Sequence, residues 1–132
     1  MIESLHVATG AAAGAAAGSR LGAILIGPAV HLAGDLVPHE DVDDRRFEVV
    51  TALGSVGLLA LARGPLDPAT LGGAAAALPD LEHLRPFPCS GGRKLFPTHR
   101  RGGSHRPGGL PVWVQLVAAC AILGWLAAGR RT

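Results

Sequence analysis

Residues 5–37 read LHVATGAAAGAAAGSRLGAILIGPAVHLAGDLV, and the reading of this stretch decides the architecture. It holds two apolar runs, Leu5–Gly18 and Leu21 to about Val37, separated only by Ser19-Arg20. Each reads as a helix, and so short a break makes the pair antiparallel neighbours. The first run is nearly all Ala and Gly, with Gly10, Gly14 and Gly18 at four-residue spacing. Small residues on one helical face let a second helix approach closely. Pro28 lacks a backbone donor and crowds the preceding turn, so it is expected to kink the second helix.

Working outward, three more apolar runs follow. Phe47–Ala62 comes after the acidic segment HEDVDDRRFE, Leu66–Leu78 runs into LPDLEH, and Leu110–Ala128 reads LPVWVQLVAACAILGWLAA. The last run has 19 residues and no charge, close to the roughly 20 residues that span a hydrocarbon core of about 30 Å. Trp113 and Trp125 stand near its ends and Arg130-Arg131 just beyond, as at a membrane interface. A transmembrane helix is therefore expected there. The other runs are shorter, at about 20–25 Å each.

Composition agrees. The chain of 132 residues is 48% hydrophobic, 17% charged and 4% aromatic, against about 25% charged residues in soluble domains. Its mean hydropathy is +0.34. The net charge of +2 resides in loops and at the C-terminus. No basic helix face argues for nucleic acid. Cys89 and Cys120 fit neither a disulfide framework nor a zinc ribbon, and Cys120 reads as a small packing residue. Met1-Ile2-Glu3-Ser4 lacks a basic region, so no cleavable signal peptide is expected. The expected fold is all-α: one domain over residues 1–132, a compact integral membrane bundle of about five short up-and-down helices. A polar loop, 84–109, carries His99 and His105.

Folded this way, the chain brings all six histidines to one end. His6 opens the first helix, while His31, Asp35 and His39 close the second at four-residue intervals. Such residues lie along one helical stripe. Asp80 and His83, three apart, close the fourth helix, and His99 and His105 arrive from the loop. Imidazole with carboxylate suits a divalent metal ion, with Zn favoured and Mn or Fe open. The expected ligands are His6, His31, Asp35, His39, Asp80, His83 and His99. A structural His–Asp pair holding two helices together is the competing reading of His31 and Asp35. HEDVDDRR otherwise reads as a solvated acidic loop, and LPDLEH as a helix stop.

LPDLEH (78–83) and HRRGGSH (99–105) resemble the Leu-Pro-Asp-x-Asp-His and His-Arg-Gly-x-Thr-His-Ser motifs of the membrane-bound metal-dependent hydrolases. That family of small bacterial membrane proteins also has a histidine near the N-terminus, similar to His6, and a His-x3-Asp helix, similar to His31 and Asp35. In the family that helix follows the His-Arg-Gly motif, whereas here it precedes LPDLEH. Glu82 stands where the family has Asp, and HRRGGSH has one extra residue.

The resemblance implies a metal-dependent hydrolase at a membrane interface. The family itself defines no substrate; the residues add the expectation of a lipid-linked or membrane-associated ester or phosphoester. Glu82 and His105 are the expected acid–base residues, and Arg100 with Arg101 the expected holders of an anionic substrate. The alternatives are a non-catalytic metal-binding or transporting membrane protein, or a structural one. Eight Lys/Arg lie on the site side and four on the other. The positive-inside rule then places the site on the cytoplasmic side of the inner membrane.

Overall fold

A computed structural model describes residues 1–83 and 108–129. They form five α-helices: α1 (Glu3–Ala17), α2 (Arg20–Asp35), α3 (Arg45–Arg63), α4 (Pro68–Ala77) and α5 (Val112–Ala128). A short 3-10 turn, Pro79–His83, follows α4. Among the described residues there is no strand, only an isolated parallel bridge between His39 and Leu110. The all-α expectation holds.

Local chemistry sets the helix ends. The Ser19 hydroxyl accepts from the Gly22 amide at 3.1 Å and starts α2. Asp44 accepts from the Arg46 and Phe47 amides at 2.9 and 3.1 Å and starts α3. Asp67 accepts from Ala69 at 2.9 Å, with Pro68 in the first turn of α4. Each cap satisfies amides that have no partner inside the helix. α1 ends at Gly18, whose φ of 66° is the left-handed conformation of a helix stop. Gly18 therefore terminates α1 and does not share the packing role expected of it with Gly10 and Gly14. α2 runs through Pro28 as one helix.

α1 lies at the centre and touches all four other helices, while α4 packs across both α1 and α2. That crossing is close because it is built of glycine and alanine. A Cβ added to Gly10 would lie 2.7 Å from the Gly72 carbonyl oxygen, nearer than atoms of a packed core approach. The core is correspondingly small-grained. Ala8, Ala11, Ala69 and Ala76 are fully buried beside Val7 and Leu59. Contacts from end to end confirm the alternating directions. Ile2 meets Gln115, Glu3 meets Glu48 and His31 meets Ala76 at one end, whereas Arg20 meets Leu66 and Arg63 meets Leu126 at the other.

Among the described residues, no helix is long and apolar enough to cross a membrane. The expected 19-residue span is not formed whole. Leu110 leaves it to bridge His39, Pro111 becomes the N-cap, and α5 keeps 17 residues, about 26 Å at 1.5 Å each. α3 has 19 residues but includes Arg45, Arg46, Glu48 and Arg63. The outer surface is nevertheless apolar: Leu21, Leu25, Leu61, Trp113, Val117 and Trp125 are 62–88% exposed. Cys120 also faces outward, contrary to its expected packing role.

Candidate metal centre

The end of α2 supplies the first two groups. His31 and Asp35 stand one turn apart on its inner face, and both are buried, at 0% and 4% exposure. His31 Nδ1 lies 2.8 Å from the Ala76 carbonyl oxygen. A carbonyl only accepts, so Nδ1 carries the proton and Nε2 turns toward the acids. It sits 3.3 Å from Asp35 Oδ2 and 3.6 Å from Asp80 Oδ1. A backbone carbonyl fixing one ring nitrogen is how metal-binding imidazoles are commonly oriented.

The start of α1 supplies the third group. His6 is fully buried, and its ring stacks on that of His31 with centroids 3.8 Å apart and planes at 22°. Its Nε2 faces Asp35 Oδ1 at 3.1 Å, without hydrogen-bond geometry for either ring nitrogen among the described residues. Room for this ring comes from Gly34, where an added Cβ would lie 3.2 Å from His6 Cε1. Burial lowers the pKa of His6 to about 4, against the opposing pull of Asp35. His6 is thus neutral in ordinary buffers, as a ligand must be.

His6, His31 and Asp80 each offer a ligand atom, and these atoms lie within 4.8 Å of one another. Asp35 contacts the Nε2 atoms of both imidazoles. The donor set, two imidazole nitrogens with nearby carboxylates, suits Zn, Mn or Fe. The residues therefore fit a divalent ion.

Beside this cluster lies a cavity of about 530 Å³ between the starts of α1 and α3 and the 41–44 segment. Glu3, Asp35, Glu48 and Asp80 line it as buried or half-buried acids, and Asp41, Asp43 and Asp44 as exposed ones. Glu48 Oε2 accepts from the Glu3 amide at 2.7 Å. Burial, then a hydrogen bond and charge from Asp80, then Glu48, raise the Glu3 carboxyl to about 11. Burial likewise raises Glu48. Neither acid is among the candidates expected from the sequence. The signal for Glu3 was its position one turn before His6.

His39 departs from the expected stripe. α2 stops at Asp35, and the chain turns extended at Pro38 to bridge Leu110. His39 Nδ1 contacts the Val37 carbonyl at 2.5 Å, while Nε2 meets Asp41 at 3.0 Å and the Met1 amino group. It thus pairs at the cavity rim, apart from the His6–His31–Asp80 group. Gln115, fully buried in α5, ties this end together: it accepts from the Ile2 amide and donates to the Glu40 and Leu110 carbonyls. A lone amide in an apolar run is a visible signal that the sequence reading passed over.

Glu82 and His83 close the 3-10 turn, but their side chains lie outside the described structure. His99, His105, Arg100 and Arg101 fall in the segment 84–107, also outside the described residues. Comparisons of this chain with protein-family models, with curated proteins and with solved structures find no match.

Proposed function

We propose that the protein is a metal-dependent hydrolase acting on an ester or phosphoester that is lipid-linked or held at a membrane. One observation carries the reading. Two buried imidazoles from α1 and α2 converge with Asp35 and Asp80, and the Nδ1 of His31 is committed to Ala76. His6, His31 and Asp80 would hold the ion, with Asp35 as a further ligand or as the group that orients both rings. Zinc is the favoured ion for this donor set. When bound, such an ion lowers the pKa of a coordinated water toward about 7 and polarises the scissile group.

The chain's own part is positioning. The Ala76 carbonyl holds the proton on His31 Nδ1 and so turns Nε2 toward the centre. Asp80, 29% exposed, joins the buried cluster to the cavity where a substrate would enter. Glu3 lies beside Asp80 on the cavity wall, where burial and Asp80 raise its carboxyl. The exposed leucines and tryptophans on α2, α3 and α5 support a position against lipid hydrocarbon, with the acidic end toward water. A transporter would place its ionisable groups along a path through the bundle. Here the described histidines, and every described acid except Asp67, gather at one end, which favours a surface reaction.

The test uses the purified full chain in detergent or lipid nanodiscs, zinc-loaded or treated with chelator. Chromogenic carboxylic esters and phosphoesters report turnover. The proposal expects turnover by the zinc form alone, abolished in His31→Ala and Asp35→Ala. Stoichiometric zinc with no turnover of either class would reduce the site to a metal-binding one.

A further inference from the structure

The cavity beside the centre has two characters, and together they select a ligand. Its floor and walls include Val42, Val49, Ala52, Leu53, Ala77 and Leu81, enough apolar surface for a hydrocarbon chain. Its polar side is almost wholly acidic. Seven carboxylates line it, and Arg45 is the one basic side chain among the described lining residues. Against these acids a divalent ion, Arg45 and the Met1 amino group would supply four positive charges. The field stays negative even with metal bound, and inside a partly enclosed cavity it is weakly screened.

From this we infer, building on the hydrolase reading above, that the cavity takes an acyl amphiphile without an anionic group. The scissile bond would then be an uncharged carboxylic ester or amide, and phosphoesters would be excluded. An anionic phosphodiester would enter against the like charge of Asp35, Glu48, Asp41 and Asp43. A neutral ester loses nothing to that field, and its chain gains from burial on the Val42–Val49–Leu53 wall. In the reaction water adds across the acyl bond. Its hydroxyl goes to the acyl carbon and its proton to the departing alcohol or amine, giving one acid and one alcohol or amine.

A matched pair of probes tests this on the metal-free full chain in a non-ionic detergent, where no hydrolysis intervenes. The methyl ester of 11-dansylaminoundecanoic acid is uncharged, and the parent acid carries the same chain with one negative charge. The ester is expected to bind at least about tenfold more tightly than the acid, a difference of about 1.4 kcal/mol. Leu53→Trp, at an exposed wall position, should weaken ester binding while zinc stoichiometry stays unchanged. Asp43→Lys, at the exposed rim, should narrow the preference between the two probes. Equal binding, or tighter binding of the acid, overturns the inference. With zinc bound, faster turnover of bis(p-nitrophenyl) phosphate than of p-nitrophenyl octanoate also overturns it but leaves the hydrolase reading standing. A preserved ester preference in a chain that binds no zinc supports this ligand class and overturns the hydrolase reading.

Discussion

His6 and His31 stack face to face, 3.8 Å between ring centroids, and a single carboxylate, Asp35, contacts both. Stacked imidazolium rings at that distance would repel, and burial keeps His6 neutral. Two stacked rings, one from each of two antiparallel helices, therefore present nitrogen toward a shared carboxylate in a buried interior. The arrangement ties helix packing to site chemistry, because α1 and α2 must approach closely for the rings to meet.

The two most shifted groups predict opposite pH dependences of stability. His6 falls from 6.5 to about 4 on folding. The unfolded chain therefore binds more protons between those values, and stability is lost as pH drops from 6.5 toward 4. Glu3 rises from 4.5 to about 11. The folded chain holds the extra proton across that window, and stability is lost as pH rises through it. Urea midpoints measured in chelator should decline on both sides of mildly acidic pH. Glu3→Gln should flatten the alkaline limb, whose slope is at most about 1.4 kcal/mol per pH unit. An unchanged alkaline slope in Glu3→Gln would count against the buried, protonated Glu3.

Glycines at the helix crossing and glycines on the surface should respond oppositely to alanine. Gly10→Ala drives a methyl into the Gly72 backbone and should cost about 1–3 kcal/mol. At Gly54, within α3, an added Cβ meets nothing within 4 Å. Gly54→Ala should stabilise by up to about 1 kcal/mol through lower backbone entropy in the unfolded chain. Denaturant unfolding of the two variants reads the sign directly.

Gln115 predicts an effect on the site from a residue that touches no candidate ligand. Its side chain joins the Ile2 amide to the Glu40 and Leu110 carbonyls at 2.8–2.9 Å. Gln115→Leu leaves the buried Ile2 amide and the half-buried bonds to Glu40 and Leu110 without that partner and should cost about 1–3 kcal/mol. Zinc binding should weaken with it, since Ile2 precedes Glu3 and His6 on α1. Calorimetric titration of zinc into the variant checks this, and an unaltered affinity would confine Gln115 to stability.

Most of the architecture was legible because helix chemistry is local. The run Leu21–Val37 became Arg20–Asp35 and Phe47–Ala62 became Arg45–Arg63, each opened by a polar residue that caps it. The His31–Asp35 pair was legible for the same reason, since four residues make one turn. What failed depended on where the chain turns. His39 lost its place on the stripe because α2 ends before Pro38, and the fifth helix lost Leu110 and Pro111 to the bridge with that same segment. Glu48 became a site residue only through the meeting of α1 with α3, which no short-range pattern encodes, whereas Glu3 could have been found from its place one turn before His6.

Whether His6, His31 and Asp80 hold one divalent ion is read from the zinc content of the purified full chain, by elemental analysis after exhaustive dialysis, together with zinc-edge X-ray absorption. The expected result is one zinc per chain with two imidazole ligands and the remainder oxygen, reduced to trace zinc in His31→Ala. Folded wild-type protein that retains no stoichiometric zinc, manganese or iron, or a His31→Ala variant that keeps its metal, would contradict it.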